Sequence, residues 1–315
     1  GGIINSLKTN ASLGEGEWSV IEADESDGSF LKFNNTIAIV SNIDHEHIDY
    51  YKSFKNLTKQ FKLFINKTPL LGKNIVCLDD VNVKKIIKQS PRKNFLTYGF
   101  GTKADFVPTN IIYKNMKIYF DLNVNIKKKF IIKKIALNLM GHHNVLNATA
   151  AIIASISLGI SIKKIKHTLE NFLGVQRRLT KVYEKNNRII FDDYAHHPTE
   201  IEAVLSACKN SFKEKKIVSI FQPHRFTRVK SLYKKFTDCF SKSDLVILCP
   251  VYAAGEKNIK FNLEQFGKKI AKNSKTEVVI IKDEENLNVF LNKNFVINEL
   301  IIAMGAGNIS QWIRS

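Results

Sequence analysis

An α/β fold in two domains is predicted for this sequence, and three observations carry the prediction. In the second half, β-type runs at 188–191, 216–221, 244–249, 277–281 and 299–303 alternate with helical patterns at 198–212, about 225–241, 263–272 and 284–292. Such alternation implies parallel strands joined by right-handed crossovers, hence a Rossmann-like domain. In the first half, the apolar runs Glu17–Ile21 and Thr36–Val40 each lead at once into acidic residues, the pattern of a parallel sheet whose carboxyl edge holds a metal or phosphate. Composition resets at Gly174-Val-Gln-Arg-Arg178, which places the boundary there and divides the chain into 1–174 and 175–315.

Taken in order, Glu17–Ile21 is expected to be a buried strand running into Glu22-Ala-Asp-Glu-Ser-Asp27. Thr36–Val40 is a second strand, running into Ser41 to Asp49. Leu57, Phe61, Leu63 and Phe64 recur at helical spacing, so 53–67 is an amphipathic helix. Asn74–Leu78 is a strand and Val81–Gln89 a short helix. Residues 94–98, 111–122 and 130–139 are β-type runs of a small β-rich flap. Gly141-His-His-Asn-Val-Leu-Asn147 opens a long apolar helix that Gly159 stops, and another helix follows from Ser161 to Phe172.

The second half is organised around Phe191-Asp-Asp-Tyr-Ala-His-His-Pro-Thr-Glu200, which packs acids, histidines and a phenol into the joint between a strand and a helix. Pro198 suits the first helical turn, where its missing N–H costs nothing. Polar clusters follow the later strands in the same way: Gln222-Pro-His-Arg-Phe-Thr-Arg228, Pro250-Val-Tyr-Ala-Ala-Gly-Glu256 and Gly305-Ala-Gly-Asn308. In open α/β sheets ligands bind outside the carboxyl ends of strands, so all four share the ligand-binding edge.

Composition narrows the class. At 315 residues and 44% apolar content the chain is an ordinary globular protein, without an apolar run long enough for a membrane span and without a signal-peptide pattern. Cys77, Cys208, Cys239 and Cys249 sit in apolar settings with no C-x-x-C pair, which reads as buried reduced thiols in a cytoplasmic protein. The net charge of +19 is spread over lysines along the whole chain. It is read as solvated helix faces that suit acidic nucleotide substrates, with no specific nucleic-acid or membrane partner.

Several residues can carry chemistry, each with a bland counterpart. Glu22 and His47 would stand at the tips of adjacent strands, where one carboxylate plus substrate phosphates is a usual Mg²⁺ set; they can equally be strand-end polar residues. Asn144 and Asn147, spaced i, i+3, can face one ligand, though capping alone accounts for one of them. Arg178 in the linker, with Arg225 and Arg228 at a helix start, suits phosphate or carboxylate recognition, while unpartnered surface arginine is the commoner case. Asp192 and Asp193 can cap the turn, and His196 and His197 can be packed. No G-x-x-x-x-G-K-[ST] phosphate loop occurs.

Read together and in order, these motifs, with Gln176-Arg-Arg178, resemble the Mur ligase family of peptidoglycan synthesis. The resemblance implies a P-loop-type central domain, here without its first strand and phosphate loop, followed by the Rossmann-like domain. It implies an ATP-dependent ligase that phosphorylates a UDP-sugar carboxylate and lets an amine attack the acyl phosphate. The substrates implied are UDP-N-acetylmuramate and L-alanine, with ATP and Mg²⁺; a recycled peptide in place of L-alanine is the neighbouring alternative, and a non-catalytic basic binding module the distant one. By resemblance, Glu22 and His47 hold Mg²⁺, Asn144 and Asn147 meet the nucleotide, and Arg178 and Asp193 contact ATP, the four residues Glu22, His47, Arg178 and Asp193 forming the catalytic set. Tyr194, His196, Arg225 and Arg228 orient the incoming amino acid or intermediate. Two departures from the pattern stand out: the phosphate loop is missing, and Glu46 precedes His47 where Asp is usual. The expectations are that the chain is a fragment unable to ligate alone, and that the acidic and basic tips converge on one cleft for Mg-nucleotide.

Overall fold

A computed structural model describes residues 1–91, 94–114, 116–257, 260–294 and 298–314. The chain forms two compact units, one of Gly1 with Ala11–Phe172 and the other of Gly2–Asn10 with Leu173–Ser315. Residues 2–10 thus pack with the second unit: Ile4 bridges Val175, and Asn5 N–H donates to the Gly174 carbonyl at 3.0 Å.

In the first unit a 3₁₀ turn at Ser29–Lys32 precedes β1 (Ile37–Val40), α1 (Ile48–Tyr51), α2 (Phe54–Lys67), β2 (Lys73–Cys77), α3 (Val81–Gln89) and β3 (Phe95–Tyr98). There follow β4 (Phe106–Lys114), β5 (Lys117–Asn125), β6 (Lys129–Leu137), α4 (His142–Ser157) and α5 (Ile162–Asn171). One six-stranded sheet runs β1-β2-β3-β4-β5-β6. It is parallel from β1 to β4 and antiparallel from β4 to β6, so the expected β-rich flap is a meander continuing the same sheet. The 111–122 run resolves into two strands; Asn115, between them, lies outside the described residues. Helix starts follow local chemistry: Ser53 Oγ accepts from Asn56 N–H, and Asp80 caps α3 through Asn82 and Val83.

The expected strand at 17–21 does not form. That stretch pairs with nothing described, and its side chains are exposed rather than buried, Val20 at 95% and Trp18 at 52%. Apolar composition supplies a strand's side chains but not its ladder. Among the described residues β1 pairs only with β2, and 17–21 does not join its other edge.

The second unit contains β7 (Thr180–Lys185), β8 (Arg188–Asp193), α6 (Pro198–Ser211), β9 (Lys216–Phe221), α7 (Phe226–Ser231), α8 (Tyr233–Asp238) and β10 (Leu245–Leu248). It continues with α9 (Leu263–Ser274), β11 (Glu277–Ile280), α10 (Glu284–Asn294), β12 (Glu299–Met304) and α11 (Ile309–Trp312). Its sheet is ordered β11-β10-β9-β12-β8-β7, parallel throughout except for β7. The Rossmann-like expectation holds, and β8, β9, β10 and β12 all present their carboxyl ends on one edge. Strands β9, β10 and β12 are almost wholly buried, as expected of central parallel strands covered on both faces. Two details differ from the sequence reading. The helix expected over 225–241 is broken at Leu232 into α7 and α8. The antiparallel edge strand β7 was not anticipated, because a register shift between Lys181 and Tyr183 disrupts its alternation.

Candidate functional site

In the second unit, the carboxyl edge of the sheet gathers every motif that follows a strand. The segment 177–179 is fastened to the end of β8 by its backbone. Tyr194 N–H donates to the Arg177 carbonyl at 2.7 Å, and Leu179 N–H donates to Asp193 Oδ2 at 2.8 Å. Arg177 and Leu179 both take positive φ, 57° and 46°, so this turn is held in a conformation L-residues seldom adopt. Asp193 Oδ1 accepts from Ala195 N–H at 2.7 Å. Burial pushes the Asp193 carboxyl up to about 6 against the pull of these N–H donors and of Arg178. Asp193 is 3% exposed and accepts from the Leu179 and Ala195 backbone amides, so what it fixes is the path of the chain through Arg178.

Asp192, fully buried, faces two guanidinium groups. Arg314 lies 2.8 Å from its Oδ2 and Arg177 Nε 3.6 Å from its Oδ1, and Ser310 Oγ donates to Oδ2 at 2.7 Å. Arg177 also donates to the Gly305 carbonyl, so the 305–308 loop is drawn into the same set. Gln222 completes the tie, donating to Asn308 Oδ1 at 2.7 Å and accepting from Ile309 N–H at 3.1 Å. A Cβ at Gly307 would stand 2.7 and 2.9 Å from Tyr252 Cγ and Cβ, as well as 2.3 Å from Gln222 Oε1, so a larger residue there would displace this tie.

The aromatic and basic side chains form a row. Arg177 and Arg178 lie over the Tyr194 ring at 4.9 and 5.9 Å. Tyr194 meets His196 edge-on at 5.2 Å, His196 meets His224 at 5.8 Å, and His224 stacks on Tyr252 at 5.7 Å. His196 Nδ1 is 2.9 Å from the Tyr194 carbonyl, an acceptor only, so Nδ1 carries the proton. Arg228 NH1, a donor only, is 3.0 Å from His224 Nδ1, which must accept. Burial first and the Arg228 charge second lower the His224 pKa to about 4, so its ring is neutral at pH 7. Arg225 begins α7 at φ 67° and donates its N–H to the Tyr252 carbonyl at 2.9 Å. Tyr252 and Glu256 therefore join the site from the loop after β10, Glu256 accepting from Thr227 N–H at 3.2 Å.

Within the first unit the predicted residues are held more loosely. Glu22 lies on the extended 17–24 stretch with its side chain 75% exposed, 3.4 Å from the Gly1 amino group. His47, at φ 55° before α1, points Nε2 toward Glu25 Oε1 at 3.5 Å. Tyr51 hydroxyl donates to the Glu25 carbonyl, bringing the 22–27 loop to α1. Among the described residues no three His, Cys, Asp or Glu side chains converge as a metal cage. Glu22 offers an exposed carboxylate of the kind Mg²⁺ takes with water and phosphate in its remaining positions, while the His47 imidazole faces Glu25.

Asn144 and Asn147 do come together: Asn147 Nδ2 donates to Asn144 Oδ1 at 3.4 Å, and Asn144 Nδ2 to the Met140 carbonyl at 2.8 Å. Neither is the N-cap, which is Gly141 at φ 99°. Beside them His142 Nδ1 meets the Tyr113 hydroxyl at 2.6 Å and its ring packs on Phe100 at 5.4 Å. Sequence reasoning gave no role to His142, Tyr113, Phe100, His224, Tyr252, Glu200 or Glu256. The clustering of aromatic and titratable residues after strand ends was the available signal for the last four.

Two family models match this chain, the Mur ligase middle domain over residues 5–155 and the Mur ligase glutamate ligase domain over 177–307. The chain belongs to the Mur ligase family. It is 44% identical to a UDP-N-acetylmuramate–L-alanine ligase of Pelagibacter ubique, over 100% of this chain and 68% of the relative. It is 39% identical to the Agrobacterium fabrum ligase of the same name, over 99% and 67%. Among solved structures, the Thermotoga maritima UDP-N-acetylmuramate-alanine ligase MurC superposes with a TM-score of 0.79 at 26% identity, covering 99% of this chain and 66% of that one. A murein peptide ligase from Psychrobacter arcticus shares the fold, with a TM-score of 0.60 at 19% identity over 90% and 57%. This Mur ligase chain spans about two thirds of the length of the first-named relatives. No helix among its described residues is long and apolar enough to cross a membrane.

Proposed function

We propose that these residues belong to an enzyme that ligates L-alanine to UDP-N-acetylmuramate with ATP, through an acyl phosphate. The observation that carries the reading is the row at the carboxyl edge of the second sheet, supported by identity to ligases of that name along the whole chain. Two exposed phenols, a neutral imidazole and two half-buried guanidinium groups suit a small amino acid: Arg225 and Arg228 take its carboxylate, while Tyr194 and His196 orient it. Neutral His224 adds no further positive charge beside them; with Nδ1 accepting from Arg228, its Nε2–H is left as a donor, which suits the carboxylate. Arg178 serves the ATP phosphates, and Asp193 serves them by holding Arg178's segment in place.

In the first unit, Asn144 and Asn147 meet the nucleotide; with Asn144 Nδ2 bonded to Met140, the oxygen of Asn147 is the outward acceptor for an amino group of the base. Glu22 and His47 are the proposed Mg²⁺ holders. Mg²⁺, when bound, offsets the repulsion between phosphates and the sugar carboxylate. The positive groups are needed because charge spreads over the transferring phosphoryl group. The 315 residues contain no phosphate loop, so by themselves they are expected not to ligate.

The test is a chimera joining residues 1–315 to the remaining third of the Pelagibacter ubique relative. ADP release that requires both UDP-N-acetylmuramate and L-alanine is expected, with none from residues 1–315 alone. Release stimulated by a tripeptide and not by L-alanine would transfer the reading to the peptide-adding ligase. Salt-sensitive binding to random DNA without any nucleotide response would favour the basic binding module.

A further inference from the structure

Glu200, the last residue of the 191–200 motif, meets three residues of the candidate site, His196, His197 and Arg178. It sits at the third position of α6, where its Oε2 accepts from His196 N–H at 3.0 Å and His197 N–H at 3.2 Å, the return half of a capping box. The same Oε2 lies 3.4 Å from His196 Nδ1. Its other oxygen, Oε1, lies 3.6 Å from Arg178 NH1. A carboxylate needed only to close the cap would use one oxygen and leave the other to water. Here the second oxygen faces a guanidinium arriving from a different segment.

We propose that Glu200 is a positioning residue that sets two proposed contacts at once, Arg178 for the nucleotide and His196 for the incoming amino acid. The inference rests on the ligase reading for what those contacts bind, and on geometry alone for what holds them. Arg178's side chain is 54% exposed, so without a partner its guanidinium samples many rotamers. The Tyr194 ring beside it limits that freedom from one side, and Glu200 limits it from the other. For His196, the Tyr194 carbonyl fixes the tautomer while Glu200 holds the backbone on which the ring stands. Nucleotide and amino-acid contacts therefore share one carboxylate.

Two substitutions separate the cap from the charge. Glu200→Gln keeps an oxygen for the His196 and His197 amides, as glutamine does in capping boxes, but loses the charge that Arg178 and His196 face. Glu200→Ala loses both. Substrate-free labelling followed by mass spectrometry reads positioning directly, with phenylglyoxal for Arg178 and diethyl pyrocarbonate for His196. Both labels are expected to react about threefold faster in E200Q, the size an exposed ion pair supports, with the thermal midpoint kept. E200A is expected to lower the midpoint as well. In the chimera described above, E200Q is expected to raise KM for ATP and for L-alanine together, each by about threefold, with a smaller change in kcat. Unchanged labelling in E200Q, or a change at only one of the two residues, overturns the proposal. A chimera that does not ligate counts against the ligase reading and leaves the labelling result to decide the role of Glu200.

Discussion

The two units hold their candidate residues in opposite ways. In the second, the motif segments are bonded to one another at the sheet's carboxyl edge: 177–179 to Asp193, Gly305 to Arg177, Asn308 to Gln222, and Arg225 to Tyr252. In the first, Glu22 stands on a stretch that joins no strand among the described residues, with its side chain 75% exposed. The difference teaches that a predicted catalytic residue and a predicted strand can fail independently. Glu22 keeps the carboxylate its proposed role needs although the strand expected to carry it does not form.

Four measurements sharpen or break this contrast. Removing the Asp192 carboxylate with Asp192→Ala is expected to cost about 3 kcal/mol in urea unfolding, because Arg177 and Arg314 lose a fully buried partner. Trp312, two residues before Arg314, reports the loss by fluorescence. A cost under about 0.5 kcal/mol, the usual size at an unremarkable surface site, would show the second unit to be no better braced than the first.

Next in size is a pH effect. Burial raises the Asp193 carboxyl from 3.8 to about 6, so the folded state holds its proton more tightly than the unfolded state does. The stability this contributes is complete below pH 3.8 and is lost as pH rises through about 6. Relative to Asp193→Asn, the unsubstituted protein is therefore expected to lose up to about 3 kcal/mol across that interval. A difference that stays flat, or grows with pH, would contradict the burial described.

Smaller still, Arg228→Gln removes the second cause of His224's lowered pKa and leaves burial, the first. The ring's titration, followed by NMR, is expected to move up by about half a unit. Least of all on stability, Glu22→Ala is expected to shift unfolding by under about 0.5 kcal/mol, since its side chain is 75% exposed. The same substitution in the chimera is expected to reduce ligation by about a hundredfold, if a carboxylate there holds Mg²⁺ as proposed. A large stability loss with intact ligation would invert the contrast.

Much of the second unit was legible because central parallel strands are near-continuous apolar runs. Lys216–Phe221 and Leu245–Leu248 announce themselves, and the polar clusters after them mark the edge. β7 was not legible, since its bulge breaks the alternation that a reader counts. Trp18 and Val20 misled because composition records what a side chain prefers and not whether a neighbouring backbone is there to pair. The site divides likewise. Arginines and histidines after strand ends were readable as a group, but the duties of Asp193 and Glu200 were not. Whether a carboxylate faces a ligand, a guanidinium or an amide of its own chain is decided by turns such as Arg177 and Leu179 at positive φ, which no spacing rule reveals.

Residues 2–10 belong to the second unit while the 162 residues from Ala11 to Phe172 belong to the first, so one unit is threaded into the sequence of the other. The Ile4 bridge to Val175 then works as a clasp that shuts only once a long intervening stretch has been gathered in. The entropy of closing so long a loop rises only slowly with its length, but it must be met before the clasp adds anything. Residues 2–10 are thus held by partners far along the sequence, and a substitution that breaks the bridge at Ile4 or Val175 is expected to loosen them.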